Sequence, residues 1–269
     1  MATALPWCFW SSSTTKERRT FRLKLEYDGT DFAGFQLQGA GFRTVQGELE
    51  TTIERLSGEF SRVHGAGRTD AGVHALGQTA HFETGWSVPN ERLALALNNA
   101  LPGDLVVKSA AIAEPGFHSR FSATRRTYCY AVLNRQAPSA LLGRFALHQR
   151  TALDLDSMRA GASHLLGTHD FAAFGQPSEP GRSTVRYVER LDIRTWKDCV
   201  LITVRGNAFL RQQVRAFVGT LLKVGHGRLL ADEVARIRDG QDRAVCPPIA
   251  PAKGLCLVRV DYRGLRITG

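Results

Sequence analysis

The chain has 269 residues, of which 43% are hydrophobic and 22% are charged, and its formal net charge is +10 at pH 7. This composition is that of an ordinary globular protein with one large or two modest domains. No apolar run approaches the roughly 20 residues that span a bilayer, so we expect no membrane partner. The positive charge favours a polyanionic partner such as a nucleic acid, although many basic proteins bind none.

The cysteines and the amino terminus both bear on the compartment. The cysteines are odd in number and scattered, and no pair has metal-ligand spacing: Cys8, Cys129, Cys199, Cys246 and Cys256. This pattern favours a reducing, intracellular location, the cytoplasm, over a disulfide framework. Residues 1–20 are rich in Ser and Thr and lack the long apolar stretch of a secretory signal. We predict a disordered tail there, while the absence of acidic residues before Glu17 leaves a transit peptide open.

The first half of the chain predicts the order β-α-β-β-α-β. Apolar and charged residues alternate over 21–27, which is the period of a half-buried strand. Thr44 is the expected N-cap of a helix whose apolar face begins at Val45. The remaining predicted elements of this half are strands near 60–64 and 78–83, a helix from Pro89 to Leu101, and a strand over 105–112.

The same order recurs in the second half. We predict strands over 127–133, 184–193, 200–205 and 255–262, helices over 155–166 and 210–224, and a short extra helix over 231–238. Two copies of β-α-β-β-α-β indicate an α+β protein with two ferredoxin-like halves, residues 21–116 and 117–269, each with antiparallel strands backed by helices.

The most unusual segment, Gly-Ala-Gly-Arg-Thr-Asp-Ala-Gly-Val-His at 65–74, lies between two predicted strands. Its glycines permit backbone conformations closed to other residues, and they frame Arg68, Asp70 and His74. Such a loop can present a reactive carboxylate on a rigid sheet. The alternative is a simple turn in which Asp70 only accepts hydrogen bonds from backbone amides.

The segment GRTDAGVHA at 67–75 resembles the signature motif of the TruA family of pseudouridine synthases. The resemblance continues in the family's order from about residue 21 to residue 262. The other similar blocks are EYDGTDFAGFQLQ at 26–38, TVQGELE at 44–50, ALN at 96–98, FHSRFSATRRTYCY at 117–130, GTHDFAAF at 167–174, FLRQQVRAFVGTLLKVG at 209–225 and AKGLCLVRVDY at 252–262.

The resemblance implies a role for each matched residue. Asp70 matches the catalytic aspartate, Arg215 the arginine that pairs with it, and Tyr128 the tyrosine that stacks on the target base. Arg68 matches an arginine that helps to hold the flipped nucleotide, and Leu255 lies in the stretch that resembles the apolar wall of the uracil pocket.

The resemblance also implies the architecture and the substrate. In the family, two ferredoxin-like halves share an antiparallel sheet with the catalytic cleft between them. Its members are homodimers that need no cofactor and no metal, and the bacterial type isomerises uridines at positions 38–40 of the anticodon stem-loop of tRNA.

Several other side chains have expected roles. Arginines that crowd the second half are predicted to contact RNA phosphates, although some are surely solvated: Arg120, Arg125, Arg126, Arg182, Arg186 and Arg211. Tyr130, Phe171 and Phe174 are expected in the core. The histidines form no ligand array, so no metal is expected.

Two functions of other classes remain open from the residues alone. A ferredoxin-like sheet with aromatic residues is typical of non-catalytic RNA-binding modules, which gain nothing from a buried carboxylate. A nucleoside or glycan hydrolase needs a second acid or a water-activating group, and the loop supplies one carboxylate. A synthase of the same family that acts on another RNA site is the third alternative.

Overall fold

The computed structural model describes residues 17–39, 41–177 and 181–263. The strands in these residues are β1 (Arg19–Tyr27), β2 (His64–Gly65), β3 (His74–Thr84), β4 (Leu105–Ile112), β5 (Ala123–Asn134), β6 (Leu147–Gln149), β7 (Gly167–Asp170), β8 (Val185–Trp196), β9 (Cys199–Gly206) and β10 (Leu255–Tyr262). The α-helices are α1 (Val45–Ser57), α2 (Asn90–Asn98), α3 (Leu155–Ser163), α4 (Gln213–Gly225) and α5 (Glu233–Gly240). Within the described ranges, no helix has the length and apolar character of a membrane span.

The strands form one continuous sheet in the order β4-β1-β3-β10-β5-β9-β8-β7, with β2 beside β3 and β6 beside β5. The first half therefore has the order β4-β1-β3-β2 and the second half the order β10-β5-β9-β8. Both are the antiparallel ferredoxin-like arrangement, so the predicted α+β class with two such halves is confirmed. The proposed division between residues 116 and 117 stays a prediction, because one apolar cluster runs through both halves.

The two halves meet where β3 and β10 pair in parallel, with His74 opposite Cys256 and Ala75 opposite Leu257. The far end of β3 pairs instead with the two-residue strand β2, through Ala80 and His81. This distant pairing explains why β3 begins at residue 74 and not at 78 as predicted. A pairing partner 182 residues away along the chain leaves no local signal in the sequence.

Other element bounds also differ from the predictions. The strand predicted at 60–64 is reduced to His64–Gly65, and α4 begins at Gln213 because Gln212 has a left-handed backbone with φ 64°. Strands β6 and β7 have three and four residues, too few for a recognisable alternation. Strand β1 begins at Arg19, inside the predicted tail, of which residues 1–16 lie outside the described residues.

The predicted cap and core residues are where the sequence places them. The Thr44 hydroxyl accepts a hydrogen bond from the Gly47 amide, which confirms it as the N-cap of α1. Phe171 and Phe174 are fully buried and pack edge-on against Phe217 of α4, with ring centroids 5.2 and 5.0 Å away. These aromatic contacts fix α4 against the short segment that follows β7.

A stack of histidines joins the segment before β5 to the first half. The His81 ring lies 5.1 Å from that of His64 and 4.6 Å from that of His118. Ser119 links two of these histidines. Its hydroxyl contacts His81 Nδ1 at 2.9 Å and donates to the His64 carbonyl at 2.6 Å. Burial lowers the pKa of His81 to about 4, so this ring is neutral at neutral pH and behaves as a structural residue.

Helix α4 also packs closely against the segment that leads into β10. A Cβ at Gly219 would lie 2.1 Å from the Pro248 carbonyl oxygen, so only glycine fits there. Two residues further along this segment, the Ala250 amide donates to the Arg215 carbonyl at 3.0 Å. Gly219 thus sets the distance between α4 and residues 248–250, the stretch that hydrogen-bonds to the predicted site residue Arg215.

We predict that Gly219→Ala lowers the free energy of unfolding by about 1–3 kcal/mol, measured by urea denaturation, because the backbone of Pro248 has to move. Alanine normally stabilises a helix relative to glycine, so the sign of the effect is diagnostic. Gly240→Ala in α5, where a Cβ would contact nothing within 4 Å, is the matched control. A neutral or stabilising effect of Gly219→Ala would contradict the close contact.

Candidate active site

The loop between β2 and β3 is held in place by hydrogen bonds to neighbouring segments. The Thr69 hydroxyl hydrogen-bonds to the Tyr27 hydroxyl at 2.8 Å, and the Thr69 carbonyl accepts from the Phe35 amide at 3.0 Å. The Gln78 side chain donates to the Gly67 carbonyl at 2.7 Å. Gly72 turns the chain back with a left-handed φ of 75°. Asp70 is therefore presented from a fixed loop on a rigid sheet.

The Asp70 carboxylate faces an arginine of the other half. Arg215 Nη1 lies 3.1 Å from Asp70 Oδ2, and the two side chains are 13% and 25% exposed respectively. A charge-assisted hydrogen bond of this kind holds the carboxylate in a fixed position. The alternative reading, in which Asp70 serves only its own turn, does not explain this contact across the two halves.

Arg215 is aimed by its own backbone environment. It follows the buried Val214 in the first turn of α4, at the edge of the apolar face, as the sequence suggested. Its Nε donates to the Ala250 carbonyl at 2.8 Å, while Nη1 reaches Asp70. The guanidinium is thus oriented by one neutral acceptor and presents Nη1 to the carboxylate.

Tyr128 of β5 lies beside the same loop. It is 7% exposed, and its hydroxyl is 3.5 Å from the position that a Cβ would take at Gly67. Burial raises the pKa of Tyr128 to about 12, with a further upward contribution from Asp70 and a downward one from Arg126. The phenol is therefore protonated at neutral pH and available as a hydrogen-bond donor.

Apolar groups complete the surroundings of Tyr128. Leu257 is directly opposite it on β10, and the Phe209 ring packs edge-on at 5.5 Å. Leu255, predicted as part of an apolar wall, is buried opposite Tyr130 on the same face of the sheet. Tyr130 is fully buried and donates to the Pro251 carbonyl at 2.8 Å, which confirms it as a core residue.

Arg68 lies on the outer side of the loop. Its side chain is exposed, and its Nε donates to the Gln36 side chain at 3.2 Å. The structure therefore brings together Asp70, Arg215 and Tyr128 but leaves Arg68 facing outward, two residues before Asp70.

Of the arginines predicted to contact phosphates, Arg126 is the one whose geometry argues against that role. It is 9% exposed and donates to the carbonyls of Ala66, Arg120, Ala123 and Asn207, at 2.7–3.1 Å. A buried guanidinium with this many backbone acceptors connects loops to one another. Few of its N–H groups remain available to bind a phosphate. Burial also lowers its pKa.

The other arginines are more accessible. Arg125 pairs with Glu189 at 2.6 Å, and Arg120 lies over the Phe121 ring at 5.5 Å. Arg186 donates to two nearby carbonyls, and Arg182 and Arg211 are exposed. Their predicted contacts with RNA stay predictions.

Three residues near these groups were missed by the sequence reasoning. Phe209 and Gln78 carried no signal beyond ordinary core character, since their roles depend on contacts between strands. Arg243, which lines a cavity with Arg211, lies between two of the matched blocks, where no motif marked it. In the part of the chain that the structure describes, no group of three or more His, Cys, Asp and Glu side chains could hold a metal ion.

The chain is similar in sequence to known proteins over most of its length. The family model described as tRNA pseudouridine synthase matches residues 25–122 and 162–263. The chain is 43% identical over 240 residues to the tRNA pseudouridine synthase A of Shouchella clausii, covering 89% of this chain and 92% of the relative. It is 44% identical over 243 residues to that of Methylobacterium nodulans, covering 90% and 95%.

Among solved structures, a chain of an archaeal box H/ACA ribonucleoprotein complex is similar with a TM-score of 0.34 and 13% identity, covering 76% of this chain and 44% of that one. A likeness this weak carries no argument, whereas the family model matches both halves and includes the loop with Asp70 and helix α4. The chain belongs to the tRNA pseudouridine synthase family.

Proposed function

We propose that this protein isomerises uridine to pseudouridine in tRNA, with Asp70 as the catalytic carboxylate. The observation that carries the proposal is the contact between Asp70 and Arg215, which brings a carboxylate and a cation from different halves to 3.1 Å. A partly exposed carboxylate fixed by an arginine and bordered by an aromatic ring suits covalent chemistry on a base or a sugar. A binding module would gain nothing from it, because the carboxylate repels phosphate.

The reaction needs few groups. The bond from ribose C1′ to uracil N1 breaks, the base turns, and C1′ bonds to C5, while C5 loses a proton and N1 gains one. The atoms of the nucleotide are conserved, so one carboxylate that attacks and is later released is sufficient. Attack on the sugar, attack on the base and aspartate-promoted elimination all fit this geometry.

Tyr128 is proposed to stack on the extruded uracil and to take part in the proton transfer from C5. Aromatic side chains are the usual support of a flipped base. With a pKa of about 12 the phenol stays protonated at neutral pH. As a proton relay, it has to release its own proton when it takes the one from C5.

We further propose the anticodon stem-loop, positions 38–40, as the site of modification, a homodimer as the active form and the cytoplasm as the compartment. The first two are what the resemblance to the family implies. The compartment is supported by the five scattered cysteines of the sequence, which favour a reducing environment.

The direct test is tritium release from C5-labelled uridine in unmodified tRNA transcripts. We expect the native protein to release tritium and Asp70→Asn to be slower by at least about 10³-fold, since the amide is no nucleophile. Asp198→Asn, which removes an exposed carboxylate of the β8–β9 turn, is the matched control and should keep the native rate. Transcripts with other bases at positions 38–40, paired to preserve the stem, should release no tritium.

Each other outcome has a distinct meaning. Tight binding without release from any transcript would favour the non-catalytic RNA-binding module. Free uracil among the products would indicate a hydrolase. Release from the transcripts without uridines at 38–40 would keep the activity and move the target to another RNA site.

For Tyr128, we expect Tyr128→Phe to lower the single-turnover rate of isomerisation by about 10²–10⁴-fold while tRNA binding persists, because the ring remains and the hydroxyl is lost. Tyr130→Phe, two residues along the same strand, removes a hydroxyl that contacts only protein and serves as the control. Native rates in Tyr128→Phe would limit the role of this residue to stacking.

A further inference from the structure

A basic cavity lies beside α4, outside the catalytic contact. It has a volume of about 250 Å³ and is lined by Gly175, Gln176, Arg211, Gln212 and Arg243. Pockets for drug-sized ligands measure roughly 300–1,000 Å³, so this one suits a chemical group rather than a whole small molecule.

The charged residues that line the cavity are both positive. Among the residues that the structure describes, the lining includes two arginines and two glutamines and no acidic residue. Within residues 17–39, 41–177 and 181–263, neither Arg211 nor Arg243 has an ion-pair partner. The neighbouring carboxylate, Asp242, caps the short turn at Arg243–Val245 by accepting from the Ala244 amide. Two unpaired like charges around one cavity favour an anion between them.

Backbone contacts fix the positions of the segments that line the cavity. The Arg211 amide donates to the Gln176 carbonyl at 2.9 Å, so the two lining segments are joined. Gly175 allows this approach, because a Cβ there would lie 2.7 Å from the Arg211 carbonyl oxygen. The left-handed backbone of Gln212 then turns the chain into α4. Arg211 is thereby held at the start of the helix that carries Arg215.

The cavity lies at the start of the helix that carries the catalytic contact. Gln212 is three residues before Arg215, which is less than one helical turn of about 5.4 Å. RNA carries one phosphate for each nucleotide, so a strand with one nucleotide at Asp70 offers further phosphates on either side of it.

We propose that the cavity of Gln176, Arg211, Gln212 and Arg243 binds a phosphodiester group of the RNA strand next to the nucleotide at Asp70. The two guanidinium groups bind the phosphate oxygens, and the carboxamides donate further hydrogen bonds. This inference rests on the proposed function for the identity of the RNA. It assigns Arg243, which no motif marked, to the substrate-binding surface.

The test is the salt dependence of binding to an unmodified tRNA transcript, for the native protein and for Arg211→Gln, Arg243→Gln and the double variant. Each single variant should weaken binding about tenfold at 0.1 M salt and make the slope of log K against log salt shallower by about 0.7–0.9. Arg236→Gln removes an exposed arginine of α5 outside the cavity and should change only the general electrostatic attraction, by much less.

Three results would overturn the proposal. The first is an unchanged slope in both single variants that retain the native unfolding midpoint. The second is an equal effect of Arg236→Gln. The third is evidence that the cavity binds free phosphate and not RNA. In that case inorganic phosphate at constant ionic strength would stabilise the native protein but not the double variant. The slope of log K against log salt for tRNA binding would be the same in both proteins. Tritium release by the native protein is read separately, so failure of the synthase proposal is distinguishable from failure of the cavity proposal.

Discussion

The parallel pairing of β3 with β10 is the constraint on which the rest of the structure depends. It involves only His74 with Cys256 and Ala75 with Leu257, yet it joins two ferredoxin-like sheets into one. The buried His74 ring reinforces the junction, because its nitrogens contact the Gly29 amide and the carbonyls of Arg144 and Lys253. We call this pairing of β3 with β10 the seam. Every group of the proposed catalytic site lies within a few residues of the seam or is packed against it.

The seam explains how residues far apart in the chain meet. Asp70 lies in the loop that enters β3, and Tyr128 is opposite Leu257 of β10. Arg215 is bonded to Ala250, five residues before β10 begins. A change that moved β10 relative to β3 would therefore disturb the carboxylate, the arginine and the tyrosine together. The close contact at Gly219 extends the same control to α4.

Much of this arrangement could be predicted from the sequence, and the failures have physical causes. The repeated β-α-β-β-α-β order came from local periodicity, and the loop at 65–74 was recognisable from its glycines and its mixed charges. The early start of β3 and the helix boundary at Gln212 depend on distant pairing and on a left-handed backbone, which periodicity does not report. Arg126 looked like a phosphate ligand because charge alone says nothing of burial, and its guanidinium in fact serves backbone carbonyls.

The central claim is that Arg215 and Asp70 act as a pair across the seam. The most direct test is the single-turnover rate of tritium release for Arg215→Met and Arg215→Lys at saturating enzyme, with tRNA binding measured alongside. We predict a loss of about 10²–10³-fold for Arg215→Met, partial recovery for Arg215→Lys, which restores the charge without the fixed fork, and near-native binding for both. A native rate for Arg215→Met would contradict the account, because Asp70 would then act without its partner.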